Sequence, residues 1–193
     1  MSNWYDLSVQ GTDIPLTEYL ATGKALRLDF TYGGLTGFQI ITPAHGWMMQ
    51  PGQNKIDTIK GELLKIAQKQ LDEKSSQLID YKTFGSKIEY AGKDTVNTIP
   101  CYKLKLTDKE GNNATSYFDM KTYYLLRTES IIKQNDQEQE VAITYKDYKL
   151  LTDGIVMPMS VTTPMGEVVF TAIEINKPID EQIFIPAMPT PGK

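Results

Sequence analysis

A single histidine and a single cysteine limit the chemistry available to this chain. His45 is the only imidazole, so a zinc site built on several histidines is excluded, and a Ser-His-Asp triad would have to use this residue. Gly46 follows it, which reads as a turn, and no triad pattern surrounds it. Cys101 is the only thiol, so there is no internal disulfide and the redox compartment stays open. Within an alternating apolar run, Cys101 reads as a small core residue. The carboxylate clusters Asp72-Glu73 and Asp136, Glu138 and Glu140 fall at a helix end and a hairpin tip, where solvated surface accounts for them. Arg27 can pair with Asp29 or with a neighbouring strand, and an exposed pair of that kind contributes at most about 1 kcal/mol. No Gly-x-Ser-x-Gly, phosphate loop or Gly-x-Gly-x-x-Gly occurs. Asn113-Ala114-Thr115 matches a glycosylation sequon, a pattern short enough to arise by chance. The expectation is no catalytic residue, no metal and no cofactor.

Composition narrows the class further. The chain has 193 residues, 40% hydrophobic and 23% charged, which suits one globular domain with a sizeable core. Twenty Lys and Arg against 24 Asp and Glu give a formal charge of -4. That balance carries no electrostatic footprint for nucleic acid and no polybasic segment to hold an anionic membrane. No apolar stretch approaches the roughly 18–20 residues of a transmembrane helix. Trp4–Gln10 reads as a strand that begins almost at Met1, with neither a basic n-region nor an apolar h-region before it. We therefore expect a natural segment upstream, and a pairing of Trp4–Gln10 with the Leu26–Tyr32 strand or its neighbour. The proline-rich C-terminus predicts a flexible tail over 187–193, after a single domain over 1–186.

The elements that position these residues are mostly hairpins. Leu26, Leu28, Phe30 and Tyr32 alternate with Arg27, Asp29 and Thr31, and Gly33-Gly34 turns the chain into a strand carrying Phe38, Ile40 and Thr42. Beyond Pro51-Gly52 the period changes. Ile56, Ile59, Leu63, Ile66, Ala67 and Gln70 are spaced by three or four, predicting an apolar helix stripe that ends near Asp72. A short helical turn follows at Ser76–Lys82, placing Leu78 beside Tyr81 or Lys82. Lys87–Gly92 and Ile99–Thr107 form a hairpin around Asp94–Thr98. Alternation continues through Thr115–Met120, Tyr123–Lys133, Glu140–Leu151, Ile155–Thr163 and Glu167–Asn176, with turns at Asp153-Gly154 and Met165-Gly166. The result is an α+β fold: a strongly curved antiparallel sheet with one or two helices on its concave face. One helix cannot cover so wide a sheet, so an apolar groove is the default binding site.

At this level of detail the sequence resembles a family. Trp47 and Pro51, the helix, Leu78-Ile79-Asp80-Tyr81-Lys82, Gly85 and Lys87-Ile88-Glu89-Tyr90-Ala91-Gly92-Lys93 resemble the periplasmic lipoprotein-carrier (LolA-like) superfamily. They are most similar to the outer-membrane lipoprotein-sorting proteins of Bacteroidetes-type bacteria. Cys101–Thr107, Tyr117-Phe118-Asp119, Tyr124–Arg127, Asp147-Tyr148-Lys149, Asp153–Pro158, Asn176–Asp180 and Phe184 extend the resemblance from about Gly23 to Pro186. These motifs mark turns and strand ends rather than chemistry.

The resemblance implies a half-barrel that holds acyl chains under a helical lid. It implies a periplasmic carrier or binding protein for lipid or lipoprotein acyl chains, acting with an outer- or inner-membrane sorting partner, and not an enzyme. The family's early-strand arginine falls on Arg27, a candidate polar anchor, without the proline that commonly precedes it. Candidate groove-lining residues are Leu28, Phe30, Phe38, Ile40, Leu104, Leu106, Phe118 and Phe170, with Trp47, Met48 and Met49 as a soft patch at the groove mouth. Ordinary core burial is the competing reading for each. A sensor or partner-binding module on the same fold is the alternative function, and a cavity enzyme is the third.

Overall fold

The computed structural model describes residues 2–9, 12–72, 78, 81–134, 137–152 and 154–187. The strands are β1 (Ser2–Val9), β2 (Thr12–Ala21), β3 (Ala25–Tyr32), β4 (Leu35–Ile41), β5 (Gly46–Met49), β6 (Asp57–Ile59), β7 (Lys87–Val96), β8 (Ile99–Thr107), β9 (Asn113–Asp119), β10 (Leu125–Gln134), β11 (Gln137–Leu150), β12 (Val156–Thr163) and β13 (Gly166–Glu174). They are hydrogen-bonded in the order β6-β5-β4-β3-β2-β1-β13-β12-β11-β10-β9-β8-β7. Neighbours pair antiparallel from β1 to β6 and from β7 to β12. The chain forms two compact units, one of residues 1–74, 151–153 and 169–193, the other of 75–150 and 154–168.

In the first unit, β1 pairs with β2, the neighbour of β3, as expected from its alternation. The sequence reading did not assign β2, which carries Pro15. The β2–β3 ladder begins one residue later, at Leu16 opposite Phe30, so the missing proline N–H falls outside that ladder. Helix α1 spans Gly61–Asp72, starting five residues later than the Ile56 expected from periodicity, because Asp57–Ile59 pairs as β6 against β5. The stripe is also rotated. Ala67 and Leu71 enter the core with Leu20, Leu26 and Ile41, while Leu63 and Ile66 remain 72% and 58% exposed. Polar contacts tie α1 down: Gln68 Nε2 donates to the carbonyls of Thr42 and Pro43 at 3.0 and 2.8 Å. At its far end the Gly23 N–H donates to the Leu71 carbonyl at 3.1 Å, satisfying an acceptor the helix leaves open.

Both faces of this sheet are covered. Ile40 and Ile41 are consecutive and each is 0% exposed, which alternation allows only if each face has its own cover. Helix α1 lies over Ile41. Over Ile40 lies a second cluster, with Ala25, Phe38 and Met49 packed beneath Phe184 and flanked by Ile179 and Ile183. Phe184 ends a short 3-10 helix, Glu181–Phe184, whose N-cap Asp180 accepts from the Gln182 N–H at 3.0 Å. This C-terminal cover was not expected. Of the predicted 187–193 tail, only Ala187 is described.

In the second unit, β7 runs to Val96, and the turn falls on Asn97 and Thr98 with φ of 46° and 70°. That is tighter than the Asp94–Thr98 turn read from the sequence, because two left-handed residues suffice for a hairpin loop. The Ser76–Lys82 helical turn lies largely outside the described residues. At its end, the Ser86 N–H donates to the Tyr81 carbonyl at 2.8 Å. Val96, Cys101 and Tyr117 bury together with Leu126 against them, in keeping with the core reading of Cys101.

Gly37 sits opposite Phe30 with no room for a side chain. A Cβ there would lie 2.7 Å from the Met49 carbonyl oxygen and 2.7 Å from the Phe30 ring. Because one of these is backbone, the clash has no soft outlet. Gly37→Ala is expected to cost about 1–3 kcal/mol, read as a lowered midpoint in urea unfolding. An unchanged midpoint would show that Phe30 does not seal against this strand.

Candidate functional site

Cross-strand register sorts the residues of the second unit onto two faces. On β8, Tyr102, Leu104 and Leu106 alternate with Cys101, Lys103 and Lys105. Tyr102 faces Phe118, Leu104 faces Ser116 and Leu106 faces Ala114 on β9. On β10, Leu125 pairs with Phe118, Thr128 with Ser116 and Ser130 with Ala114. Ile88 and Tyr90 of β7 pair with Leu106 and Leu104. One face of β8–β10 therefore carries apolar and hydroxyl side chains, and it holds a cavity of about 220 Å³ lined by Leu78, Leu106, Ala114, Ser116, Leu125, Thr128 and Tyr145. The lining has three hydroxyls and no carboxylate, amine or imidazole. Such a lining is shaped for an apolar group with a neutral polar end.

The opposite face combines the buried Val96, Cys101 and Tyr117 with charged side chains. Tyr117 Oη donates to Glu129 Oε2 at 2.6 Å, and Arg127 pairs with Glu129 Oε1 at 2.8 Å. Lys103 pairs with Asp94 at 3.2 Å and holds its ammonium 5.8 Å from the Tyr117 ring centroid. Burial, and then the donation to Glu129, pushes the Tyr117 phenol up to about 12. Burial also pushes the Cys101 thiol up, so this thiol is not an activated nucleophile.

The structure distributes the sequence-derived candidates over several surfaces. Leu104, Leu106 and Phe118 share the apolar face of the second unit, with Leu106 at the cavity wall. In the first unit, Leu28 and Phe30 lie on the α1 side, in step with Leu26. Phe38 and Ile40 point the other way, opposite Asp29 and Arg27, and pack with half-buried Trp47 beneath the C-terminal cover. Phe170 is half-buried on β13. Met49 is buried in the same cluster as Phe38, while Met48 pairs with Gln39 and Asp57. The candidates thus do not line one face; counting alternate positions within each strand could not tell which face of β4 matched which face of β3.

Arg27 is fully engaged. Its Nε donates to both Asp29 carboxylate oxygens at 2.8 and 3.0 Å, and one terminal nitrogen donates to the Ile183 carbonyl at 2.7 Å. The guanidinium lies 5.2 Å above the Phe38 ring, a cation–π distance. Desolvation pushes the Asp29 carboxyl up against the pull of Arg27. Arg27 anchors the C-terminal cover. His45 sits in a turn, where its carbonyl accepts from the Thr42 N–H at 2.8 Å, and its ring tilts against Trp47 at 5.4 Å. Among the described residues no cluster of His, Cys, Asp or Glu is placed to hold a metal, and no helix is long and apolar enough to cross a membrane.

Sequence reasoning missed Ala114, Ser116, Leu125, Thr128 and Tyr145 as cavity residues. Ala114, Ser116 and Thr128 are small or hydroxylated and carry no strong apolar signal, yet their small volume leaves space open. Leu78 was named as part of a helical turn, and Leu78 and Leu125 in the resemblance, but neither as a lining residue.

The chain matches no protein-family model and no curated protein sequence. Its fold has close counterparts among solved structures. A LolA superfamily protein from Nitrosomonas europaea aligns with TM-score 0.60 at 8% identity, covering 96% of this chain and 88% of that one. A DUF1329 family protein from Desulfovibrio piger aligns with TM-score 0.59 at 13% identity, over 95% and 88%. A putative outer membrane lipoprotein-sorting protein domain from Vibrio parahaemolyticus aligns with TM-score 0.57 at 12% identity, over 95% and 88%. The fold is LolA-like: α+β, with an open antiparallel sheet.

The raised Tyr117 phenol has a measurable sign. Its folded value, about 12, lies above the ordinary tyrosine value, so the stabilisation is fully present below about pH 10. It is lost as pH rises from there toward 12, because the unfolded chain releases its proton first. Tyr117→Phe should flatten this stretch of the stability–pH curve measured by denaturant titration. An identical alkaline slope in the variant would contradict the burial of this hydroxyl.

Proposed function

We propose that this chain is a non-catalytic carrier or binding protein for lipid or lipoprotein acyl chains. Its place is the periplasm, in the sorting of outer-membrane lipoproteins with an outer- or inner-membrane partner. The observation that carries the reading is the cavity of about 220 Å³ on the apolar face of the second unit, walled by Leu78, Leu106, Ala114 and Leu125. An apolar cavity of ~150 Å³ already suffices to hold a benzene molecule, and each methylene moved out of water gains about 0.8 kcal/mol. A linear chain needs length and dryness rather than an array of donors. The three lining hydroxyls suit the ester or amide end of an acyl chain better than a reacting centre. An enzyme would need a convergent acid, base or nucleophile, and the lining has none. The fold supports the same reading, because one of its structural counterparts is described as an outer membrane lipoprotein-sorting protein domain.

Uptake of a fluorescent fatty-acid probe tests this directly. Phe118→Ala should weaken uptake while the circular-dichroism spectrum stays folded. Filling the cavity with Ala114→Leu should abolish uptake while leaving a cooperative unfolding transition, a combination that a purely structural role would not produce. If the parent protein takes up no acyl probe, lipid carriage is abandoned in favour of a partner-binding module on the same fold.

A further inference from the structure

The apolar face of the second unit ends in a rim of tyrosines that the cavity does not use. Tyr90 and Tyr123 are 61% and 69% exposed. Tyr102 lies between them, edge-on to Tyr90 at 6.4 Å and 61° and nearly parallel to Tyr123 at 6.4 Å and 7°. Lys93, opposite Tyr102 in the ladder, holds its ammonium 6.0 Å from the Tyr102 ring centroid. No carboxylate pairs with Lys93 among the described residues.

Tyr123 is held there against its backbone preference. Its φ is +61°, a left-handed value that bulky side chains rarely adopt. The turn that enforces it is built on Asp119. Its carboxylate accepts from the Lys121 N–H and the Thr122 hydroxyl at 2.8 Å each. Its carbonyl accepts from the Tyr123 N–H at 2.9 Å, and its own N–H donates to the Tyr124 carbonyl at 2.9 Å. A turn that strains a tyrosine in order to present its ring to solvent needs a reason outside the fold.

We propose that this rim docks the face onto the headgroup layer of a phospholipid bilayer. A tyrosine has an apolar ring and a polar tip, the combination that settles where acyl chains meet water. Lys93 holds its ammonium 6.0 Å from the Tyr102 ring centroid, where it complements lipid phosphates. The chain carries a net charge of -4, so general electrostatic attraction is not the source of affinity; the rings are, and binding should depend only weakly on salt. The rim and the cavity share one sheet face, since Tyr102 pairs with Phe118 and Leu104 with Ser116. An acyl chain leaving a bilayer docked at the rim would pass directly onto apolar surface. This deepens the acyl-binding reading and rests on it for its purpose, although not for its test.

The test is co-sedimentation of the full chain with phosphatidylcholine vesicles, with and without phosphatidylglycerol, alongside the double variant Tyr90→Ser with Tyr123→Gly. The parent should bind both vesicle types, and the double variant should lose about tenfold in affinity. Its uptake of dissolved fatty-acid probe should be unchanged. Tyr123→Gly alone should melt no lower than the parent, because glycine takes φ of +61° without strain. A parent that ignores vesicles, or a double variant that binds them as well as the parent does, overturns the proposal. So does a parent that is a dimer in solution and that the double variant converts to a monomer, which would assign the rim to a second copy. A Tyr123→Gly variant that melts well below the parent would assign the stack to stability and overturn it too. Tyrosine-dependent vesicle binding without any probe uptake would leave docking standing and remove acyl carriage alone.

Discussion

Side chains on a strand point alternately to two faces, so every apolar position on a sheet creates a demand for cover on one particular side. In the first unit both demands are met. Helix α1 meets one, with Ala67 and Leu71 over Ile41, and the C-terminal segment meets the other, with Phe184 over Ile40. In the second unit one face combines the buried Val96, Cys101 and Tyr117 with charged pairs around Glu129. The other carries uncharged side chains around a cavity, with Leu78 at its wall. The two units thus answer the same alternation in different ways.

Arg27, the candidate polar anchor of the sequence, joins β3 to the C-terminal segment. Its fork satisfies Asp29 and the Ile183 carbonyl at once while its plane lies on Phe38. A lysine has one point of charge and cannot reproduce that planar arrangement. With Arg27 held against the C-terminal segment, the polar groups that line the second unit's cavity are the neutral Ser116, Thr128 and Tyr145 hydroxyls.

The hairpin order was legible because turn residues and alternation act locally: Gly33-Gly34 and Gly154 separate strands where expected, and the last hairpin turns at Pro164-Met165, one residue before the Met165-Gly166 read from the sequence. The α+β class and its LolA-like character were legible for the same reason. Features set by distant contacts were not. Helix α1 was read with a stripe that is right at Ala67 and wrong at Leu63 and Ile66, because these are as apolar as Leu71 and the side that approaches the sheet is set by contacts distant in sequence, the close approach at Gly46 among them. A Cβ at Gly46 would lie 2.8 Å from Leu64 Cδ1. The candidate site was half legible. Leu104, Leu106 and Phe118 stood out as large apolar residues, whereas Ala114 and Ser116 define the cavity by what they lack, which hydrophobic patterning cannot register.

The burial of the only thiol has a practical side. Cys101 is 0% exposed in the second unit, with its Sγ donating to the Ile99 carbonyl at 3.2 Å. An alkylating reagent reaches it only when β8 separates from its neighbours. The rate of modification therefore counts openings of that unit in the native protein, with no engineered label and no competing site.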